Sequence, residues 1–138
     1  MKLKKIIFIP IAFILVLAAI FAGWCFIGKQ PFKNLSADEV EQIEVQLRPP
    51  DVTFMLDEEQ KAEAVTLLRD IVVYYPDFSA GRYGGQAVIF TITKTDGSKS
   101  EVNVFTPFVF LNGFPYHGEY DPCEALNQFA NELLQPTQ

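Results

Sequence analysis

The chain has 138 residues, 49% of them hydrophobic, and a formal net charge of −6. Three of its 11 basic residues precede the first apolar run, so the remainder carries 8 basic against 17 acidic residues, a net charge of −9. That balance argues against sequence-independent nucleic-acid binding and against docking on anionic lipid through a polybasic patch, both of which need a basic surface.

Residues 6–28 form an apolar run with no charged side chain, opened by Lys2, Lys4 and Lys5. At 1.5 Å per residue a run of this length spans about 34 Å as a helix, enough for a hydrocarbon core of about 30 Å. Three readings compete: a retained membrane anchor, a cleaved signal segment and a lipidation site at Cys25. The retained anchor is preferred. The run is long for a signal, the small residues Ala18, Ala19, Ala22 and Gly23 make no clean cleavage site, and bulky Trp24 sits where a lipobox needs a small residue. Trp24 also suits a membrane interface. Lys2, Lys4 and Lys5 outnumber Lys29 and Lys33 beyond the run, which places the N-terminus in the cytoplasm and the rest of the chain outside. Residues 1–28 are therefore assigned to the basic N-terminus and anchor, 29–35 to a tether and 36–135 to one domain.

Within that domain, Ser36 with Glu39 is a capping-box pattern, and Leu35 and Val40 are placed for a hydrophobic staple around one or two helical turns. Ile43, Val45 and Leu47 then alternate with Glu44, Gln46 and Arg48, the period of a half-buried strand, and Pro49-Pro50 ends it. A short strand over Val52–Leu56 follows. Asp57 with Gln60 caps a helix over 58–70, with Ala64, Val65, Leu68 and Ile71 as its apolar stripe. Val72–Tyr75 is β-branched and aromatic, hence a strand closed by Pro76, and 77–85 is a loop. Strands are expected over 86–95 and 98–106 around a two-residue Asp96-Gly97 turn, and over 108–111 and 114–117 around Asn112-Gly113. Asp121 as N-cap, Pro122 and Glu124 open a last helix whose inner face carries Leu126, Phe129, Ala130 and Leu133. The expected fold is α+β: an N-terminal transmembrane helix, then a two-layer domain with an antiparallel sheet and two amphipathic helices on one face.

Catalytic motifs are missing. There is no phosphate loop, no G-x-S-x-G and no H-E-x-x-H, and the Gly81, Gly84, Gly85 segment lacks the strand-then-helix setting of a nucleotide loop. Of the two cysteines, Cys25 lies in the apolar run, so Cys123 has no partner for a disulfide and no companion for a Cys-based zinc site. No metal and no cofactor are expected. A Cys123–His117 pair is the sharpest enzymatic idea, since a thiol in a first helical turn beside a base can act as a nucleophile. Its competitor is that Cys123 is an ordinary apolar core residue. Glu119 and Asp121 beside His117 have no calcium-loop spacing and are read as helix-start residues.

Aromatic residues are dense, and the reading that most of them simply fill the core competes with one in which some form a surface patch. Phe105, Phe108, Phe110, Phe114, Tyr116 and Tyr120 crowd one stretch, with Tyr74, Tyr75, Phe78 and Tyr83 elsewhere. A sheet covered by helices on one face leaves the other open, and aromatics there suit a protein, peptide or sugar partner. Tyr83, Phe110 and Tyr116 are the chosen partner-binding residues.

The basic anchor, Ile43-Glu-Val45 before Pro49-Pro50, the helix after Asp57 ending in Ile71-Val-Val-Tyr74, Asp96-Gly97-Ser98, Asn112-Gly113 with Tyr116, and Asp121-Pro-Cys123 form a recurrent layout. It resembles uncharacterised small extracytoplasmic domains of Gram-positive Firmicutes, held by a membrane or lipid anchor. That resemblance implies a location and an α+β fold, with no activity to carry over. The functional expectation is a non-enzymatic, membrane-tethered binding or sensing module. Alternatives are an envelope inhibitor or immunity protein acting through the acidic surface, and a hydrolase using Cys123 and His117. The oligomeric state is left open.

Overall fold

A computed structural model of the chain describes residues 2–82 and 84–135. It has an N-terminal apolar helix followed by a seven-stranded antiparallel sheet and two further helices, an α+β arrangement.

Helix α1, Lys2–Phe26, has its 24 residues Leu3–Phe26 long and apolar enough to cross a membrane, at a mean hydropathy of 2.9, and none of that span is buried against the rest of the chain. Ser36 and Glu39 close a reciprocal capping box around a single 3-10 turn, Ala37–Glu39. The chain then enters β1, Val40–Arg48, and turns at Pro49-Pro50 into β2, Val52–Met55. Asp57 and Gln60 cap each other at the start of α2, Glu58–Arg69, with bonds of 2.8 and 3.0 Å. Strand β3, Val73–Pro76, follows. A 3-10 turn over Ser79–Arg82 leads to β4, Ala87–Lys94, and β5, Lys99–Phe105. Strands β6, Phe108–Leu111, and β7, Phe114–Gly118, precede α3, Tyr120–Glu132.

The spatial order is β2-β1-β4-β5-β6-β7-β3, and every neighbouring pair is antiparallel. Opposed residues share a face in such a sheet. One face therefore carries Ile43, Val45 and Leu47 on β1, Val88, Phe90 and Ile92 on β4, and Val102 and Val104 on β5, all essentially without exposure. Helices α2 and α3 cover this face with Ala64, Val65, Leu68, Leu126, Phe129 and Ala130, and the Phe129 ring stacks on Phe90 with 6.4 Å between centroids.

Two turns differ in kind. Asn112 and Gly113 both have positive φ, 51° and 85°, as the two-residue turn between β6 and β7 requires. At Asp96-Gly97 the loop is three residues rather than two: the Gly97 amide donates to the Lys94 carbonyl, the Lys94 amide donates to Ser98, and only Gly97 has positive φ. Asp96 instead takes the amide and hydroxyl of Ser98 on its carboxylate, which favours the longer loop.

The start of α3 corrects the expected cap. Asp121 is not the N-cap. The helix begins at Tyr120, with Glu119 as an N-cap that makes no side-chain bond. The cause is tertiary: the Glu119 amide donates to the Val72 carbonyl at 2.9 Å, which holds Glu119 extended, and the helix starts at Tyr120, two residues before the expected first position. Pro122 then occupies the third helical position, where its missing N–H is still tolerated.

Residues 29–35 are bonded to the sheet and α2. Lys29 and Val73 exchange backbone hydrogen bonds of 2.8 and 2.9 Å, Gln30 donates to the Arg69 carbonyl, Arg69 donates to the Lys33 carbonyl, and Phe32 and Leu35 pack on the core. Only Ile27 and Gly28 separate the end of α1 from this pairing.

Leu126 is fully buried between α3 and the sheet. Leu126→Ala is expected to cost about 2–5 kcal/mol through lost burial and a residual cavity, read as a lowered denaturation midpoint of the detergent-solubilised chain.

Candidate functional site

The face of the sheet away from α2 and α3 is divided. Across β2, β1 and β4 it is mixed, with Thr53, Gln46, Glu44 and Thr91 in register beside Met55 and Ile89 and no aromatic ring. Across β5, β6 and β7 it turns aromatic: Asn103 opposes Phe110, which opposes Pro115, and Phe105 opposes Phe108, which opposes His117. The segment after β3 folds over this second half. It shelters a pocket of about 360 Å³ lined by Phe78, Ala80, Gly81, Ala87, Asn103, Phe105, Phe110 and Pro115. Asn103 supplies the polar side chain in that lining, and its Oδ1 is buried without a hydrogen-bond partner among the described residues. An amide set among aromatic walls is a common recognition arrangement, apolar area with one orienting polar group.

Asp77 holds the covering segment in place. Its amide donates to the Pro115 carbonyl, one carboxylate oxygen accepts the Ser79 amide at 3.0 Å and the Ser79 hydroxyl at 2.6 Å, and the other lies 3.3 Å from His117 Nδ1. The bonds from Ser79, hydroxyl first and then amide, with a smaller contribution from His117, hold the Asp77 carboxyl below its ordinary value. His117 is stacked flat on Tyr75, centroids 5.1 Å apart, and edge-on to Phe108. The imidazole is therefore clamped between rings and the carboxylate that anchors the segment.

Phe110 stands in the pocket wall, on the face away from the helices. Tyr116 stands on the opposite face: it opposes Val109, packs against the core, and lines a second pocket of about 380 Å³ together with Trp24, Lys29, Tyr74, Leu111 and Phe114. Phe110 and Tyr116 thus serve different surfaces, and Tyr83 lies outside the described residues. Phe78 and Phe105 belong to the aromatic set noted in the sequence but not to the three chosen residues, and nothing in the sequence points to Asn103 or Pro115 by residue type alone. Register identifies Pro115: a two-residue turn at Asn112-Gly113 pairs Leu111 with Phe114, so Phe110 must share its face with Pro115 and not with Tyr116.

Cys123 and His117 are not brought together. His117 lies on the pocket face, while Cys123 is fully buried in the core, its sulfur close against Gly118. Burial, reinforced by the charges of Glu119 and Glu124, pushes the Cys123 thiol up to about 12, which disfavours the thiolate. Among the described residues no group of three or more His, Cys, Asp or Glu side chains is placed to hold a metal.

Comparison with protein-family models, curated proteins and solved structures gives no match to this chain.

Two outcomes follow from these groups. Because the folded Asp77 pKa is depressed, its contribution to holding the 77–82 segment is complete above the ordinary carboxylate range and is lost as the pH falls through the lowered value. The Ser79 amide resonance should report that release on acidification, and Asp77→Ala should produce it at neutral pH. Cys123 should resist maleimide in the native chain at pH 8 and react only on unfolding, with the modified residue located by mass spectrometry.

Proposed function

We propose that this chain is a membrane-held binding module whose ligand site is the aromatic pocket beneath the 77–82 segment. The carrying observation is the pocket itself: Phe78, Phe105, Phe110 and Pro115 wall a cavity of about 360 Å³ on a sheet face that the helices leave uncovered, beside Asn103. Rings of this kind stack on the faces of sugars and on proline or aromatic side chains of an extended peptide, and an amide hydrogen-bonds either class. The buried position and raised pKa of Cys123 favour this reading over a thiol hydrolase.

In the same proposal α1 is a retained anchor. Its N-terminal lysines lie in the cytoplasm and the sheet domain lies on the outer side, a reading supported by the apolar length of α1 and the lysine bias before it.

The site is tested with the full chain in nanodiscs, titrated with a panel of short proline- and aromatic-containing peptides and of oligosaccharides. Phe110→Ala should weaken any member that binds by roughly 30-fold, the equivalent of about 2 kcal/mol for a buried aromatic contact. Met55→Ala, on β2 at the far edge of the sheet, should leave it unchanged. Equal binding by the Phe110 variant would remove the pocket from the function. For orientation, Lys99→Cys in intact host cells should react with a membrane-impermeant maleimide; reaction only after lysis would reverse the topology.

A further inference from the structure

The position of Trp24 relates the sheet domain to the bilayer. Trp24 lies two residues before the end of α1, about 3 Å along the helix axis. The chain then has only Ile27 and Gly28 before Lys29 pairs with Val73 on the edge strand β3. Trp24 shares a pocket with Leu111, Phe114 and Tyr116, the residues around the tip of the β6–β7 hairpin. Those side chains are therefore level with the last turn of α1, at the depth where a tryptophan meets lipid headgroups. Lys29 lines the same pocket and places its ammonium over the Trp24 ring, 2.9 Å from the centroid.

This end of the domain differs from the rest of it. Between Glu101 and Glu119 the chain carries no acidic residue, no lysine and no arginine, in a protein with 17 acidic side chains. Within it Phe114 is 44% exposed, and its ring meets edge-on that of Phe78, which is 72% exposed. Large exposed phenylalanines on and beside a hairpin that itself bears no Asp, Glu, Lys or Arg, with Glu101 at its flank against Asn112 and Lys29 over Trp24, level with the end of an apolar helix, match the chemistry of the lipid interface.

We infer that the β6–β7 tip and Phe78 rest in the interfacial layer of the bilayer that holds α1, so that the domain lies on the membrane through Phe78 and Phe114 and its aromatic pocket opens beside the lipid surface. The inference rests on the anchor reading of α1 and is independent of what the pocket binds. Contact is made by aromatic rings and needs no anionic lipid, in keeping with the acidic balance of the domain.

Single-tryptophan fluorescence tests it, because Trp24 is the only tryptophan. The full chain is reconstituted in phosphatidylcholine vesicles with and without brominated acyl chains. Reporters are the natural Trp24 and, in a Trp24→Phe background, Phe114→Trp, Phe78→Trp and Met55→Trp, all at exposed positions. The expected result is blue-shifted emission and bromine quenching at 114 and 78, comparable with Trp24, and water-like, unquenched emission at 55. Quenching of Trp24 without quenching at 114 and 78 overturns the docking and leaves the anchor. Blue-shifted but unquenched emission at 114 also overturns it, since protein would then cover the ring. Equal quenching at 55 overturns a defined docking edge. No quenching of Trp24 removes the anchor and the docking together. Phe110→Ala should leave the quenching at 114 unchanged, so that loss of the pocket and loss of docking read out separately.

Discussion

Two helices can cover one face of a seven-stranded sheet, and much of this molecule follows from what happens to the other. The covered face takes the β-branched and aromatic residues of the central strands and excludes water from them, which is the main source of stability in a domain without disulfides. On the uncovered face, β2, β1 and β4 carry Thr53, Gln46, Glu44 and Thr91, which water can solvate, between the aliphatic Met55 and Ile89. β5, β6 and β7 carry rings, and those rings need another shelter. It comes from the chain between β3 and β4, pulled back over the sheet by Asp77 through Ser79, Pro115 and His117. The pocket is the space that this short cover leaves unfilled.

The sheet edges meet a related constraint. An exposed edge strand offers unpaired backbone groups to any passing chain. Strand β3 is an edge, and Lys29 occupies part of it through two backbone hydrogen bonds. The residue that leads out of the apolar helix is thus also the residue that closes the sheet. This makes the segment after α1 a structural part of the domain and fixes which end of the sheet lies near the helix.

What the sequence disclosed depended on the range of the forces involved. Ser36 with Glu39 and Asp57 with Gln60 act across three residues, and both capping boxes form as their pattern implies. The alternation of Ile43, Val45 and Leu47 and the Asn112-Gly113 turn are equally local, and both hold. Asp121 has the residue type of a cap but does not serve as one, because the decisive bond, from Glu119 to Val72, spans 47 residues and leaves no local trace. The pocket cover was invisible for the same reason: Asp77 and His117 are 40 residues apart. The facing of Phe110 and Tyr116 is a different case. It was available from hairpin arithmetic, and so was the uncharged stretch between Glu101 and Glu119, a pattern that stands out only against the acidity of the whole chain.

Gly28 gives the junction a mechanical character. A β-carbon there would stand 2.5 Å from Val72 Cγ1 and 3.1 Å from Tyr74 Cε1, so the backbone passes directly against the edge strand with no slack. With two residues of linker and a double hydrogen bond at its end, the close of α1 is held near the edge of the sheet. Any side chain larger than hydrogen at position 28 would have to push Val72 and Tyr74 aside, and so disturb the strand that Lys29 completes.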